Sequence, residues 1–273
     1  MRPKGLALLV GPKMLLLLAL VHLSSAAAAA FSNHQQHHHS PSQQQADKAR
    51  RQWKALNVLL TGLLRVPALG ALARDVCGVI TLAQALVGEA AGVSSVRDDA
   101  GCADVTVLFA RGTCDPGNVG VTNAPTFFDS LAALLRRDGR SLGVRGFAYP
   151  ASVEDFLAGT KARGREFAST LQATAAECPD TRLVLGGYSQ GAMVMHDAAA
   201  FAGPQVMSKA RAIVLFGDPY SNQAVANVDP SRVKVFCHQG DNICEEGGDL
   251  ILPPHLTYAK DAAAAAAFVV SRL

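Results

Sequence analysis

One stretch limits the possible folds more than any other: Arg182-Leu183-Val184-Leu185-Gly186-Gly187-Tyr188-Ser189-Gln190-Gly191-Ala192. An apolar run that suits a strand breaks at two glycines, and Ala192-Met193-Val194-Met195-His196 then suits a helix. A strand that reverses at once into a helix strains its turn residue and makes that side chain project. Residues two positions to either side must then be small, and Gly187 and Gly191 flank Ser189 in the pattern Gly-x-Ser-x-Gly. The helix also aims its first amides at the turn, where negative charge is welcome. A glycine-rich turn that merely contains a serine is the plain alternative in a chain with 24 Gly. The strand before and the helix after speak for an exposed nucleophile.

The start of the chain has a different character. Residues 1–30 have the form of a signal peptide. Arg2, Lys4 and Lys13 lead an apolar run, Met14 to Leu23, and small residues follow from Ser24 to Ala30. That run is shorter than the ~20 residues of a bilayer span, so no permanent membrane anchor is expected. Its three positive charges come with no acid, so removing it takes the formal charge from +3 to 0. Basicity therefore gives no support to nucleic acid as a partner. Residues 31–51 are polar and low in complexity, a possible pro-segment closed by the dibasic pair Arg50-Arg51. The histidines His34 and His37 to His39 read as a solvated spacer rather than a metal site.

Residues 52–101 form an N-terminal helical extension. Trp53, Leu56, Leu59, Leu60, Leu63 and Leu64 share one helical face, as do Leu72, Val76, Val79, Ile80, Ala83 and Val87, with Pro67 and Gly70 as punctuation. Packing on the main domain is the ordinary use of such stripes. A lid over an apolar site is the sharper possibility.

From Cys102 to Leu273 strand-like and helix-like runs alternate. The strands are read at Val105–Ala110, Val144–Tyr149, Arg182–Leu185, Ala212–Phe216 and Arg232–Phe236. The helices are read at Pro125–Arg137, Val153–Ala176, Gln190–Phe201 and Tyr258–Arg272. Apolar strands separated by helices predict an α/β domain, a parallel sheet covered on both faces. Roughly 170 residues suffice for one such core. No Asn-x-Ser/Thr site occurs in the chain.

A serine needs a histidine to take its proton, and the histidine needs a carboxylate to hold it. On such a sheet the order is Ser, acid, His. His255 alone among the later histidines follows both candidate acids, whereas His196 lies within the helix after Ser189 and His238 precedes Asp241. Asp241 is favoured over Asp218, because the Cys237–Cys244 loop can be stapled around it and catalysis tolerates little looseness. Oxyanion donors are expected at the Gln190 amide and at Thr113 in Phe109-Ala110-Arg111-Gly112-Thr113-Cys114. Arg111 reads as a structural ion pair rather than a substrate clamp.

Six cysteines in an exported chain suggest three bridges among 15 pairings. Cys237–Cys244 follows from proximity. Cys102 and Cys178 enter neighbouring strands from one end, and Cys77–Cys114 is what remains.

Together, Phe109 to Thr113, Pro116-Gly117-Asn118-Val119-Gly120, Gly186 to Ala192, Cys237-x3-Asp241-x2-Cys244 and Pro254-His255-Leu256-Thr257-Tyr258 resemble the fungal cutinase family over Cys102 to Leu273. The resemblance implies a small α/β-hydrolase of five parallel strands. It implies a secreted serine esterase with Ser189 as nucleophile, Asp241 orienting the base and His255 as general base and acid. Thr113 and Gln190 would form the oxyanion hole, and Ile251, Leu256 and Val153 the substrate crevice. It supports Cys102–Cys178 and Cys237–Cys244. The long N-terminal extension and Cys114 depart from the shortest members. The expectation is an extracellular enzyme, a monomer, that hydrolyses an insoluble cutin-like polyester or small esters without metal or cofactor. Acetylxylan esterase is the nearest rival, and a catalytically silent surface or elicitor protein the second.

Overall fold

The computed structural model describes residues 69–249 and 251–273, with side chains from Cys77 onward. The expected leader, the histidine-rich spacer, Arg50-Arg51 and the face beginning at Trp53 lie outside the described residues.

Five strands form one sheet in the order β2-β1-β3-β4-β5: β1 Val105–Ala110, β2 Leu142–Gly146, β3 Arg182–Tyr188, β4 Ala210–Phe216 and β5 Val233–Phe236. Every pairing is parallel. Strand β1 shows why continuous apolar runs are needed. Val105, Val107 and Phe109 point into one core, and Leu108 and Ala110 into the other. With both faces covered by helices, neither set can be polar. Strand β2 ends three residues before the expected Tyr149. Past Gly146 the chain leaves the sheet, and the buried Arg111 guanidinium takes up the carbonyls of Phe147 and Tyr149.

Helices α1 Leu69–Ala91, α2 Ala124–Arg137, α3 Val153–Ala158, α4 Lys161–Glu177, α5 Gln190–Met207, α6 Asn242–Glu246 and α7 Ala262–Val270 complete the described chain. In α2, Phe127, Leu131 and Leu135 recur every turn and are fully buried. The core beneath α2 and α7 also holds Phe216 and Tyr258; the opposite core holds Phe167, Leu171 and Met195 from α4 and α5. The single helix expected over Val153–Ala176 is two. Gly159 stands at φ 94°, a region open to glycine, and ends α3. Helix α5 outruns its expected end to Met207, with a kink at Gly203 and Pro204. The last helix is preceded by a 3-10 turn, Tyr258–Asp261.

Three disulfides close the frame: Cys77–Cys114, Cys102–Cys178 and Cys237–Cys244, with Cα atoms 5.1, 5.4 and 5.7 Å apart.

Candidate active site

Strand β3 runs into α5 through Ser189, at φ 55° and ψ −120°, a conformation that side chains other than glycine rarely adopt. The surroundings make room for it. A Cβ on Gly187 would lie 2.5 Å from the Gly191 carbonyl oxygen, and one on Gly191 would lie 2.0 Å from that of Ala110. Both positions are closed to any side chain. The Ser189 amide donates to the Phe216 carbonyl at 2.9 Å, which ties the turn to the end of β4.

Opposite stands His255, in a 3-10 turn over Pro253–Leu256 and only 1% exposed. Its Nδ1 lies 2.8 Å from Oδ2 of Asp241, which is fully buried. Nε2 of His255 is buried and has no hydrogen-bond partner among the described residues, so no hydrogen bond joins it to Ser189. The two residues nonetheless sit at the same end of the sheet. The Tyr188 ring stacks on the imidazole with centroids 5.2 Å apart, and Tyr188 immediately precedes Ser189. Gly217, next after Phe216, lies so close that a Cβ would come 2.7 Å from Cε1 of His255.

Asp241 caps α6 by accepting the Ile243 amide at 3.1 Å and also accepts the Tyr258 hydroxyl at 2.5 Å. Burial pushes its carboxyl up. The hydrogen bond and charge of His255, with Tyr258 and the Ile243 amide, outweigh burial and hold it below the usual carboxylate range. A carboxylate on Nδ1 calls for an N–H there, which leaves the lone pair on Nε2 to accept a proton.

The other candidates are settled by contacts. His196 is buried in α5 with Nε2 2.9 Å from Oδ2 of Asp218, and Asp218 Oδ1 accepts the Tyr220 amide. His238 stacks on Tyr258 at 4.2 Å, meets Asp261 at 2.6 Å through Nε2, and meets Thr257 and the Pro254 carbonyl through Nδ1. It braces the turn that carries His255.

Thr113 donates its hydroxyl to Oε1 of Gln190 at 3.3 Å, and Nε2 of Gln190 donates to the Ser152 carbonyl at 2.9 Å. The two expected oxyanion residues are thus linked to each other and to the cap of α3. Arg111 is buried. It donates to the Asp115, Phe147 and Tyr149 carbonyls and lies over the Tyr149 ring at 4.9 Å. Val153, Ile251 and Leu256 are half-buried; Val153 follows Ser152, and Leu256 follows His255.

Sequence reasoning missed Tyr188, Tyr258 and Gly217. The Tyr188 hydroxyl donates to the His255 carbonyl at 2.9 Å across 67 residues, and no local pattern marks such a pair. Among the described residues no cluster of His, Cys, Asp and Glu is able to hold a metal ion, and no helix is long and apolar enough to cross a membrane.

The family model for Cutinase matches residues 101–273. A cutinase of Hypocrea jecorina is 52% identical over 221 residues, 81% of this chain and 88% of the relative. A cutinase of Trichoderma harzianum is 50% identical over 220 residues, 81% of this chain and 87% of the relative. The solved structure of Trichoderma reesei cutinase in complex with a phosphonate inhibitor superposes with a TM-score of 0.72 at 51% identity, covering 80% of this chain and 98% of that one.

Proposed function

Because the chain belongs to the cutinase family, we propose that it is a serine ester hydrolase acting on cutin-like polyesters through an acyl-enzyme. In this reading the Ser189 oxygen attacks the ester carbonyl while Nε2 of His255 takes its proton. The imidazolium, held by Asp241, returns that proton to the leaving alcohol. Water then attacks the acyl-enzyme, losing its proton to the same nitrogen, and the acid departs as Ser189 is restored. Thr113 and the Gln190 amide stabilise the oxyanion in both steps.

One observation carries the reading. His255 has a carboxylate on one nitrogen, while the other is buried without a partner beside the strained turn at Ser189. Apo contacts between base and nucleophile are often loose and close on substrate binding. Leu82, Leu86 and Leu157 are exposed on α1 and α3, which suits contact with an oily polymer. Residues 1–30 are read as the export signal, 31–51 as a removable segment, 52–101 as an extension to the 102–273 hydrolase domain, and the enzyme as an extracellular monomer.

The test is Ser189→Ala. Hydrolysis of p-nitrophenyl butyrate and monomer release from cutin should both vanish, and an organophosphate should label wild type, but not the variant, one to one. Retained activity in the variant rules out the nucleophile. Faster deacetylation of xylan than cleavage of butyrate or cutin would favour a carbohydrate esterase.

A further inference from the structure

The turn that presents Thr113 is Gly112-Thr113-Cys114-Asp115. It is closed by the Asp115 amide on the Gly112 carbonyl at 3.2 Å, with Cys114 in the left-handed region at φ 62°. Asp115 closes it a second time: its side-chain Oδ2 accepts the Gly112 amide at 3.1 Å. A non-glycine residue at such a φ is held by what surrounds it, and much of what surrounds this turn is α1. Four α1 residues, 77, 81, 84 and 88, fall on one helical face. Cys77 bridges to Cys114. The Thr81 hydroxyl donates to the Cys114 carbonyl at 2.7 Å. Gln84, 4% exposed, faces the Asp115 carboxyl and favours its charged form. At Gly88 a Cβ would come 2.7 Å from Val121. A helix that served only as a cover would need none of these polar contacts with the loop.

We propose that Asp115, which closes the turn that α1 ties down through Cys77 and Thr81, is a positioning residue for the oxyanion hole, so that α1 is a working part of the site. The proposal rests on the reading of Thr113 as an oxyanion donor.

The surroundings of Asp115 give the proposal a pH signature. Burial pushes its carboxyl up to about 7, against the Gly112 amide, Arg111, Gln84 and Thr122, which favour the charged form. Tyr149 and Tyr188 also face it and are held neutral by burial. A charged carboxylate accepts the Gly112 amide more strongly than a neutral acid does. The turn is therefore firmest above pH ~7, and it loosens as the carboxyl takes up a proton.

The experiment uses the full chain and p-nitrophenyl butyrate at pH 5–9, with Thr113→Val, Asp115→Asn and Gln84→Leu. Thr113→Val should lower kcat by about 10²-fold or more, the size of one lost oxyanion donor. An undiminished kcat there sinks the oxyanion reading, and the proposal with it. Asp115→Asn should lower kcat about tenfold at pH 8 with KM within twofold, and the deficit should narrow toward pH 5. Gln84→Leu removes an amide that favours the charged form, so it should shift the same pH limb upward. If Thr113→Val is impaired while Asp115→Asn keeps wild-type kcat at every pH, positioning by Asp115 is overturned. Should Asp115→Asn fail to fold, the limb of Gln84→Leu decides: a shift supports the proposal, and an unmoved limb refutes it. A simple lid predicts faster turnover when α1 is loosened, the opposite sign.

Discussion

Replacing Tyr188 by Phe removes one oxygen from a ring wedged between two parts of the site. On one side the ring stacks on His255; on the other, a Cβ on Gly112 would lie 2.8 Å from Tyr188 Cδ1. Phenylalanine keeps both contacts. What disappears is the hydrogen bond to the buried His255 carbonyl, 2.9 Å long. Leaving a buried carbonyl unpaired costs about 1–3 kcal/mol. For a domain of about 200 residues each kcal/mol moves Tm by ~2–4 °C, so melting should fall by ~2–12 °C. The carbonyl belongs to the turn that carries the base, so part of the cost should appear in the transition state. If about 1.4 kcal/mol does, kcat falls tenfold. The assay is initial rate on p-nitrophenyl butyrate beside a thermal melt, with KM expected within twofold. A lower Tm with unchanged kcat would mean that Tyr188 holds the fold and not the base. No change in either would refute the role of the bond altogether.

Four further outcomes can be checked. Asp241 is depressed in the folded state, so its contribution to stability is complete above the unfolded value of about 3.9 and is lost as pH falls through the folded value. Urea melts from pH 3 to 7 should therefore show an acid limb that is shallower in Asp241→Asn, the remainder belonging to other depressed carboxylates such as Asp99. Gly191→Ala should yield no folded protein, since its Cβ would sit 2.0 Å from the Ala110 oxygen; soluble expression with a normal melt would contradict this. Gly78→Ala meets nothing within 4 Å on the exposed side of α1 and should stabilise by about 0.5–1 kcal/mol, read as a higher Tm. Cys102–Cys178 spans 76 residues and Cys237–Cys244 spans 7, so chain entropy makes their removal cost about 4.5 and about 2.5 kcal/mol. Catalysis should rank them the other way, because the shorter bridge encloses Asp241; kcat and denaturant midpoints on the two double Cys→Ser variants test both orders.

Much of the scaffold was legible because its causes are local. Val105–Ala110 has the same bounds as read and as folded, since an uninterrupted apolar run has no other use in a doubly covered sheet. Boundaries slipped where a distant group took over the backbone. Arg111 accounts for the carbonyls of Phe147 and Tyr149, which lie past the end of the strand they were assigned to, and the glycine at 159 divides a run that composition left whole. The chain order of Ser189, Asp241 and His255 was readable. The braces around them were not: Tyr188 reaches 67 residues to the His255 carbonyl, and His238 reaches 23 to Asp261.

By itself, the order of residues pointed to the kinked crossover at Ser189, because the crowding of Gly187 against the Gly191 carbonyl arises between near neighbours. It also determined which faces had to be apolar. Gly191, by contrast, must stay bare because the fold brings the Ala110 carbonyl against it. The sequence already favours Asp241 over Asp218. Tertiary structure alone decided that Asp218 meets His196 instead, that Asp261 meets His238, and that α1 is tied to the turn before Asp115 through Cys77 and Thr81. Those outcomes depend on buried polar groups finding partners. A partner is chosen by where the closed fold sets each group, not by its distance along the sequence.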